Sequence, residues 1–158
     1  MSRYELTFTI PGNPGDGSIN AAYQPVKRGK GISLAKTKLG DKFSALVALI
    51  GRSAKARDKA AADQIRASPV VGARVTAYWP RKHGKLARVE RLAFGDVDAV
   101  IKATLDPLQD WYGKGKRKKP GAGIYDDDAR VVESTLRKRY DRDNPRIEVV
   151  IWGLEREP

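Results

Sequence analysis

The order in which two hydrophobic periods follow one another constrains this chain more than any single residue does. Tyr4, Leu6, Phe8 and Ile10 alternate with Glu5, Thr7 and Thr9, the period of a half-buried strand, and Pro11-Gly12 stops it. Residues 41–67 carry the helical period instead. Asp41 stands at a capping position, Phe43, Leu46, Val47, Leu49 and Ile50 form an apolar stripe, and Ser68-Pro69 ends the run. Period two returns at Val71, Ala73, Val75, Ala77 and Trp79, closed by Pro80. Residues 96–111 read as a second helix with Val97, Val100, Ile101, Thr104, Leu105, Leu108 and Trp111 on one face. Pro107 predicts a kink at 103–106, because proline does not fit an undisturbed helix interior. Strands over about 129–139 and 146–153 follow, joined at 141–145 by what reads as a hairpin turn. Strand-helix-strand-helix-strand-strand in 158 residues predicts one α/β (α+β) domain spanning 1–158, with helices packed on a mixed β-sheet.

Between these periodic segments the chain is basic. Residues 12–40 form a long stretch rich in Gly, Pro, Asn, Lys and Arg, carrying Lys27, Arg28, Lys30, Lys36 and Lys38. A connector holds Arg81, Lys82, Lys85, Arg88 and Arg91, and a second loop over 113–123 holds Lys114, Lys116, Arg117, Lys118 and Lys119. Each loop reads either as a surface for phosphates or as a solvated insertion. The net charge of +12 favours the first reading, since such a surplus repels itself unless it meets a polyanion. Nucleic acid fits better than an anionic membrane, because no basic amphipathic helix with bulky aromatics is present. There is no cysteine, which excludes disulfides, thiolate metal sites and cysteine nucleophiles. Met1 to Glu5 lack the apolar stretch of a signal peptide, so a soluble, cytoplasmic chain is expected.

Two groups of acids stand apart in this basic background. Asp96-Val97-Asp98 opens the second helix, and Asp126-Asp127-Asp128 precedes a strand. One reason to concentrate carboxylates is a hard cation such as Mg²⁺, which prefers carboxylate and water oxygens. Each group also has a plain reading. Asp96 can cap a helix whose dipole favours Asp98 in its first turn, and the aspartate run can be a solvated turn balanced by nearby lysines. Lys102, four residues after Asp98, shares a flank with it. It is either an ordinary surface ion pair or an ammonium placed to stabilise a phosphate. Asp106 lies a further turn on, near the expected kink, and reads either as structural or as a support behind the site residues. The single histidine, His83, lies in the basic connector and reads as a solvated or phosphate-contacting residue. No phosphate-binding Gly-x-x-x-x-Gly-Lys-Ser/Thr loop and no Gly-x-Ser-x-Gly elbow is present, so no nucleotide cofactor and no serine chemistry is expected.

The stretch Gly95-Asp96-Val97-Asp98-Ala99-Val100-Ile101-Lys102, with Leu105-Asp106-Pro107-Leu108 after it, resembles the Asp-x-Asp-Asn-x-x-Lys…Asp-x-Leu core of the RusA family of crossover junction endodeoxyribonucleases. Ile124-Tyr125-Asp126-Asp127-Asp128-Ala129-Arg130-Val131 is similar to its Asp-Asp-x-x-Val segment, and Phe8-Thr9-Ile10-Pro11-Gly12 to the start of its phage and prophage members. Ala99 and Gly95 depart from the pattern, standing where the family often has Asn and a basic residue. The resemblance implies that Asp96, Asp98 and Asp128 are catalytic metal ligands, with Asp127 as an adjacent acid and Lys102 as the catalytic lysine. It further implies Mg²⁺ as cofactor, with Mn²⁺ as a substitute, and a bacterial, phage- or prophage-encoded homodimer that nicks four-way DNA junctions in pairs. Arg88, Arg91, Lys27, Arg28 and the basic residues Lys114, Lys116, Arg117, Lys118 and Lys119 are then the expected DNA contacts. Two other readings stay open: a non-catalytic DNA-binding recombination factor of the same fold, and an RNA-binding module, for which no aromatic RNP-like motif is found.

Overall fold

The computed structural model describes residues 4–17, 23–80 and 97–155, with only the backbone of Tyr23, Leu34, Val97, Asp98 and Ala99. Four strands form the main sheet: β1 (Glu5–Pro11), β4 (Val70–Trp79), β7 (Val131–Tyr140) and β8 (Arg146–Leu154), in the order β1-β8-β4-β7. β8 is antiparallel to both β1 and β4, whereas β4 and β7 run parallel, so the sheet is mixed. The alternation read in β1 is seen directly, with Leu6, Phe8 and Ile10 buried and Glu5, Thr7 and Thr9 exposed. Rows of apolar side chains cross the sheet in register. Phe8 faces Val149, Val149 faces Val75, and Val75 faces Leu136.

The order of the sheet corrects the hairpin expected between the last two strands, because β4 lies between β7 and β8. A central strand is covered on both sides and must be largely apolar. β4 meets that condition, with every residue buried or half-buried. β7 carries Glu133, Ser134, Thr135, Arg137, Lys138 and Arg139, and takes the edge, where polar and basic side chains remain in water. The connection over 141–145 is long enough to step across one strand. It is held by Asp141, whose amide donates to the Trp79 carbonyl at 2.9 Å and whose carboxylate accepts from Arg146 at 2.8 Å.

The helix expected over 41–67 is two helices, α1 (Lys38–Arg57) and α2 (Lys59–Ala67). Asp58 breaks it by capping both ends. Its amide donates to the Ala54 carbonyl at 3.0 Å, and its carboxylate accepts from the Ala61 amide at 3.1 Å. The start also moves: Thr37, not Asp41, is the N-cap, its hydroxyl accepting from the Gly40 amide. α1 packs on β1, and α2 on β1 and β8. Phe43, Val47, Ala54 and Ile65 join the strand residues in one core.

Three further expectations are corrected. The stretch over 12–40 is not irregular throughout, since β2 (Tyr23–Arg28) and β3 (Gly31–Lys36) form an antiparallel hairpin. Its turn passes through Gly29 at φ 58°, a backbone that glycine adopts without strain. The second helix, α3 (Val97–Leu105), ends rather than kinks. Asp106–Leu108 tightens into a single 3₁₀ turn with Pro107 near its start. Trp111 therefore leaves the helical face and lies 55% exposed in β5 (Trp111–Tyr112), which pairs with β6 (Lys119–Pro120) inside the expected second loop. The long parallel strand β7 begins at Val131, preceded by a 3₁₀ turn over Asp128–Arg130. Among the described residues no helix is long and apolar enough to cross a membrane.

Candidate active site

The site is assembled by a clamp between residues 107–110, which the sequence reads as the end of the second helix, and residues 121–124, at the end of the second loop. The amides of Gly121, Ala122, Gly123 and Ile124 donate to the carbonyls of Asp110, Pro107, Gln109 and Leu108 at 2.9–3.0 Å. Gly121 permits this approach: a Cβ there would lie 2.0 Å from the Gln109 carbonyl oxygen and 2.8 Å from that of Pro107. Beneath the clamp Leu108, Ile124 and Tyr125 have no solvent exposure. The Tyr125 hydroxyl donates to the Leu105 carbonyl at 2.7 Å, which ties the end of α3 to the aspartate run. Burial, with the nearby Asp106 and Asp128, holds that phenol far above its ordinary pKa, so it stays a donor.

The three neighbouring aspartates differ in what their carboxylates do. Asp126 accepts from Arg130 at 2.7 Å, which holds its pKa below the usual carboxylate value. Arg130 in turn donates to the carbonyls of Arg66 and Ser68 at the end of α2, so this pair anchors the run. Asp127 caps the following 3₁₀ turn, accepting from the Ala129 amide at 2.8 Å. Asp128 has its amide held by Gln109 Oε1 at 3.1 Å and turns its carboxylate toward Lys102, 3.9 Å away.

Lys102 is where the elements meet. Its ammonium lies 3.4 Å from Asp106 Oδ2 and 3.9 Å from Asp128 Oδ2, so two carboxylates converge on one cation. Asp106 is 32% exposed. Burial raises its carboxyl pKa and the Asp128 charge adds to this, while Lys102 and Lys36 oppose it. Near an expected kink, Asp106 reads from the sequence as structural or as a support behind the site residues. Pro107 instead ends the helix there and leaves Asp106 facing Lys102, one turn back.

Asp98 lies at the second position of α3, one helical turn before Lys102, but its side chain is outside the described residues. Asp96, His83, Arg88 and Arg91 lie outside them altogether. Among the described side chains no three acids cluster at metal-ligand spacing. Among the described side chains the donors near Lys102 are carboxylate oxygens, with neither sulfur nor imidazole beside them. That chemistry fits a hard ion such as Mg²⁺, and Mn²⁺ with it.

The basic residues fall in two exposed places. Lys27, Arg28 and Lys30 lie on the hairpin, and Lys114, Lys116, Arg117, Lys118 and Lys119 on the segment around β6. Lys119 reaches across to Asp41 in the first turn of α1, at 3.7 Å. Lys36, in sequence one more lysine of a basic arm, is not at the surface of that arm. Gln109 and Tyr125 have no role in the reading of the sequence, and Lys36 has only that of one lysine in a basic arm. Pro107 is the one local signal, since it marks where α3 must stop.

The family model described as endodeoxyribonuclease RusA matches residues 16–152. No curated protein matches the chain.

Proposed function

The chain belongs to the RusA endodeoxyribonuclease family, and from that premise we propose that it is a Mg²⁺-dependent endonuclease that resolves four-way DNA junctions by paired nicks. The observation that carries this reading is the convergence of Asp106 and Asp128 on Lys102, one turn along α3 from Asp98. Asp96, Asp98 and Asp128 would hold the ion, with Asp127 beside them fixing the turn. An ion held there would supply charge to polarise the scissile phosphate and to acidify a water, chemistry that needs neither histidine nor cysteine. Lys102 places a positive charge where negative charge grows on the phosphate. Asp106 draws that ammonium toward Asp128, and Gln109 holds the backbone from which Asp128 projects. Mn²⁺, which accepts the same oxygen donors, substitutes.

The exposed lysines around β6 and on the hairpin supply the sequence-independent grip on phosphates. A homodimer suits the task, because two-fold symmetry sets one site against each of two opposing strands. Asp98→Asn and Lys102→Met test the assignment. Both should abolish nicking of a synthetic junction while leaving its binding within about threefold of wild type. Nicking that persists in Asp98→Asn places the metal elsewhere. A wild-type chain that binds the junction but never nicks it, whichever divalent metal is supplied, is instead a DNA-binding accessory factor.

A further inference from the structure

β3 ends at Lys36 and α1 starts at Lys38, so the chain turns there and takes the Lys36 side chain off the hairpin. Its ammonium donates to the hydroxyl of Ser44, a residue of α1 that is itself 4% exposed. It also stands 5.6 Å from the centre of the Tyr112 ring, a distance at which a cation is attracted to the ring face. Both partners are neutral. Among the described residues no carboxylate lies within ion-pairing distance of this ammonium, although Asp41 and Asp106 are near enough to act on it, as is Lys119.

A half-buried ammonium held by neutral groups is a costly arrangement, and burial lowers its pKa accordingly. An exposed lysine of a flexible arm has no such cost. A fixed and partly desolvated charge is the form a protein uses where an anion is to be bound at a set place. The place is also defined. Ser44 belongs to α1 and Tyr112 to β5, both elements pack on the 3₁₀ turn that carries Asp106, and Asp106 shares Lys102 with Asp128. Lys36 thus lies at the margin of the acidic cluster, with the exposed Lys119 also near.

We propose that Lys36, seated between Ser44 and Tyr112, binds a backbone phosphate of the DNA that neighbours the phosphate being cut. This rests on the nuclease reading above, and it gives Lys36 a role separate from the general grip of the hairpin lysines. Bound there, the strand is fixed in register, so that the next phosphate falls at Lys102.

Lys36→Met keeps the length of the side chain and removes the charge. It should weaken junction binding about tenfold at low salt and reduce the slope of log K against log salt by about one unit. Its melting temperature should stay near that of wild type, since relief of a half-buried charge offsets the hydrogen bond lost at Ser44. Lys36→Arg should retain binding within about threefold. Junctions carrying a neutral methylphosphonate at each phosphate flanking the cut in turn locate the contact. At one such position wild type and Lys36→Met should bind alike. Unchanged affinity and slope in Lys36→Met, or a difference that no methylphosphonate removes, overturns the proposal. So does a lowered melting temperature with normal binding, which assigns Lys36 to the fold. If Lys36→Met does not fold, Lys36→Gln takes its place in the same comparison. Failure of the wild-type chain to bind or nick a junction removes the nuclease reading itself, and is thereby distinct from failure of the Lys36 proposal.

Discussion

Tyr125→Phe removes one oxygen from a side chain that has no solvent exposure. That oxygen donates at 2.7 Å to the carbonyl of Leu105, the last residue of α3. Leu105 ends α3 and also opens the 3₁₀ turn over Asp106–Leu108, so its carbonyl serves that turn and takes Tyr125 as a further donor. A neutral hydrogen bond contributes about 1 kcal/mol net, and no further cost of an unpaired acceptor arises while the carbonyl keeps the turn as its partner. The ring remains in place, so no cavity cost is added. The expected loss is therefore about 1 kcal/mol, which for a domain of this size lowers the melting temperature by roughly 2–4 °C. Burial holds the phenol protonated, so the loss should be the same across the neutral and mildly alkaline range. Urea denaturation followed by tryptophan fluorescence measures it, with the slope in urea unchanged. The end of α3 positions Lys102 and Asp106, so cleavage per folded molecule should fall as well. A midpoint equal to that of wild type would refute the view that Tyr125 fastens α3 to the aspartate run.

Gly121→Ala would drive a methyl group against two backbone carbonyls and open the clamp. A stability loss of about 2–4 kcal/mol by denaturant titration is expected, and a loss under about 0.5 kcal/mol would show that the clamp yields freely. Asp110 is held below the usual carboxylate value by its hydrogen bond from Arg66. Its contribution is complete above the unfolded value of about 3.9 and disappears as the pH falls through the lower folded value. Asp110→Asn should therefore cost stability at neutral pH and flatten the acid side of the stability curve. The pair is partly exposed, so the cost at neutral pH should be about 1 kcal/mol or less. An unchanged acid limb in thermal melts would contradict it. Neutralising Lys116, Arg117, Lys118 and Lys119 together should reduce the salt slope of junction binding by about one unit for each phosphate no longer neutralised. An unchanged slope would make the segment a solvated insertion.

The strands legible from the sequence are those with one face in the core. Leu6, Phe8 and Ile10, and Ile147, Val149 and Ile151, alternate because the residues between them face away from it. β2 and β3 have no such contrast. Gln24, Lys27, Arg28 and Ile32 are all exposed, so no period of two is written there. The position of β7 follows from its polarity, a property of the whole sheet that a local turn signal at 141–145 does not carry. In the site, Lys102 was legible because its spacing from Asp98 is helical. Asp106 and Lys36 were not, because one depends on where a helix stops and the other on the approach of β3 to β5. The three adjacent aspartates could be told apart only by their partners, Arg130, the Ala129 amide and Lys102.

The most direct measurement is cleavage of a synthetic four-way junction with each strand labelled in turn, in Mg²⁺ and in excess chelator. Paired nicks at symmetry-related positions are expected in Mg²⁺, none in chelator, and their return when Mg²⁺ or Mn²⁺ is restored. Nicks that persist in chelator, or binding without a nick under any divalent metal, would contradict a metal-dependent nuclease built on Asp98, Lys102 and Asp128.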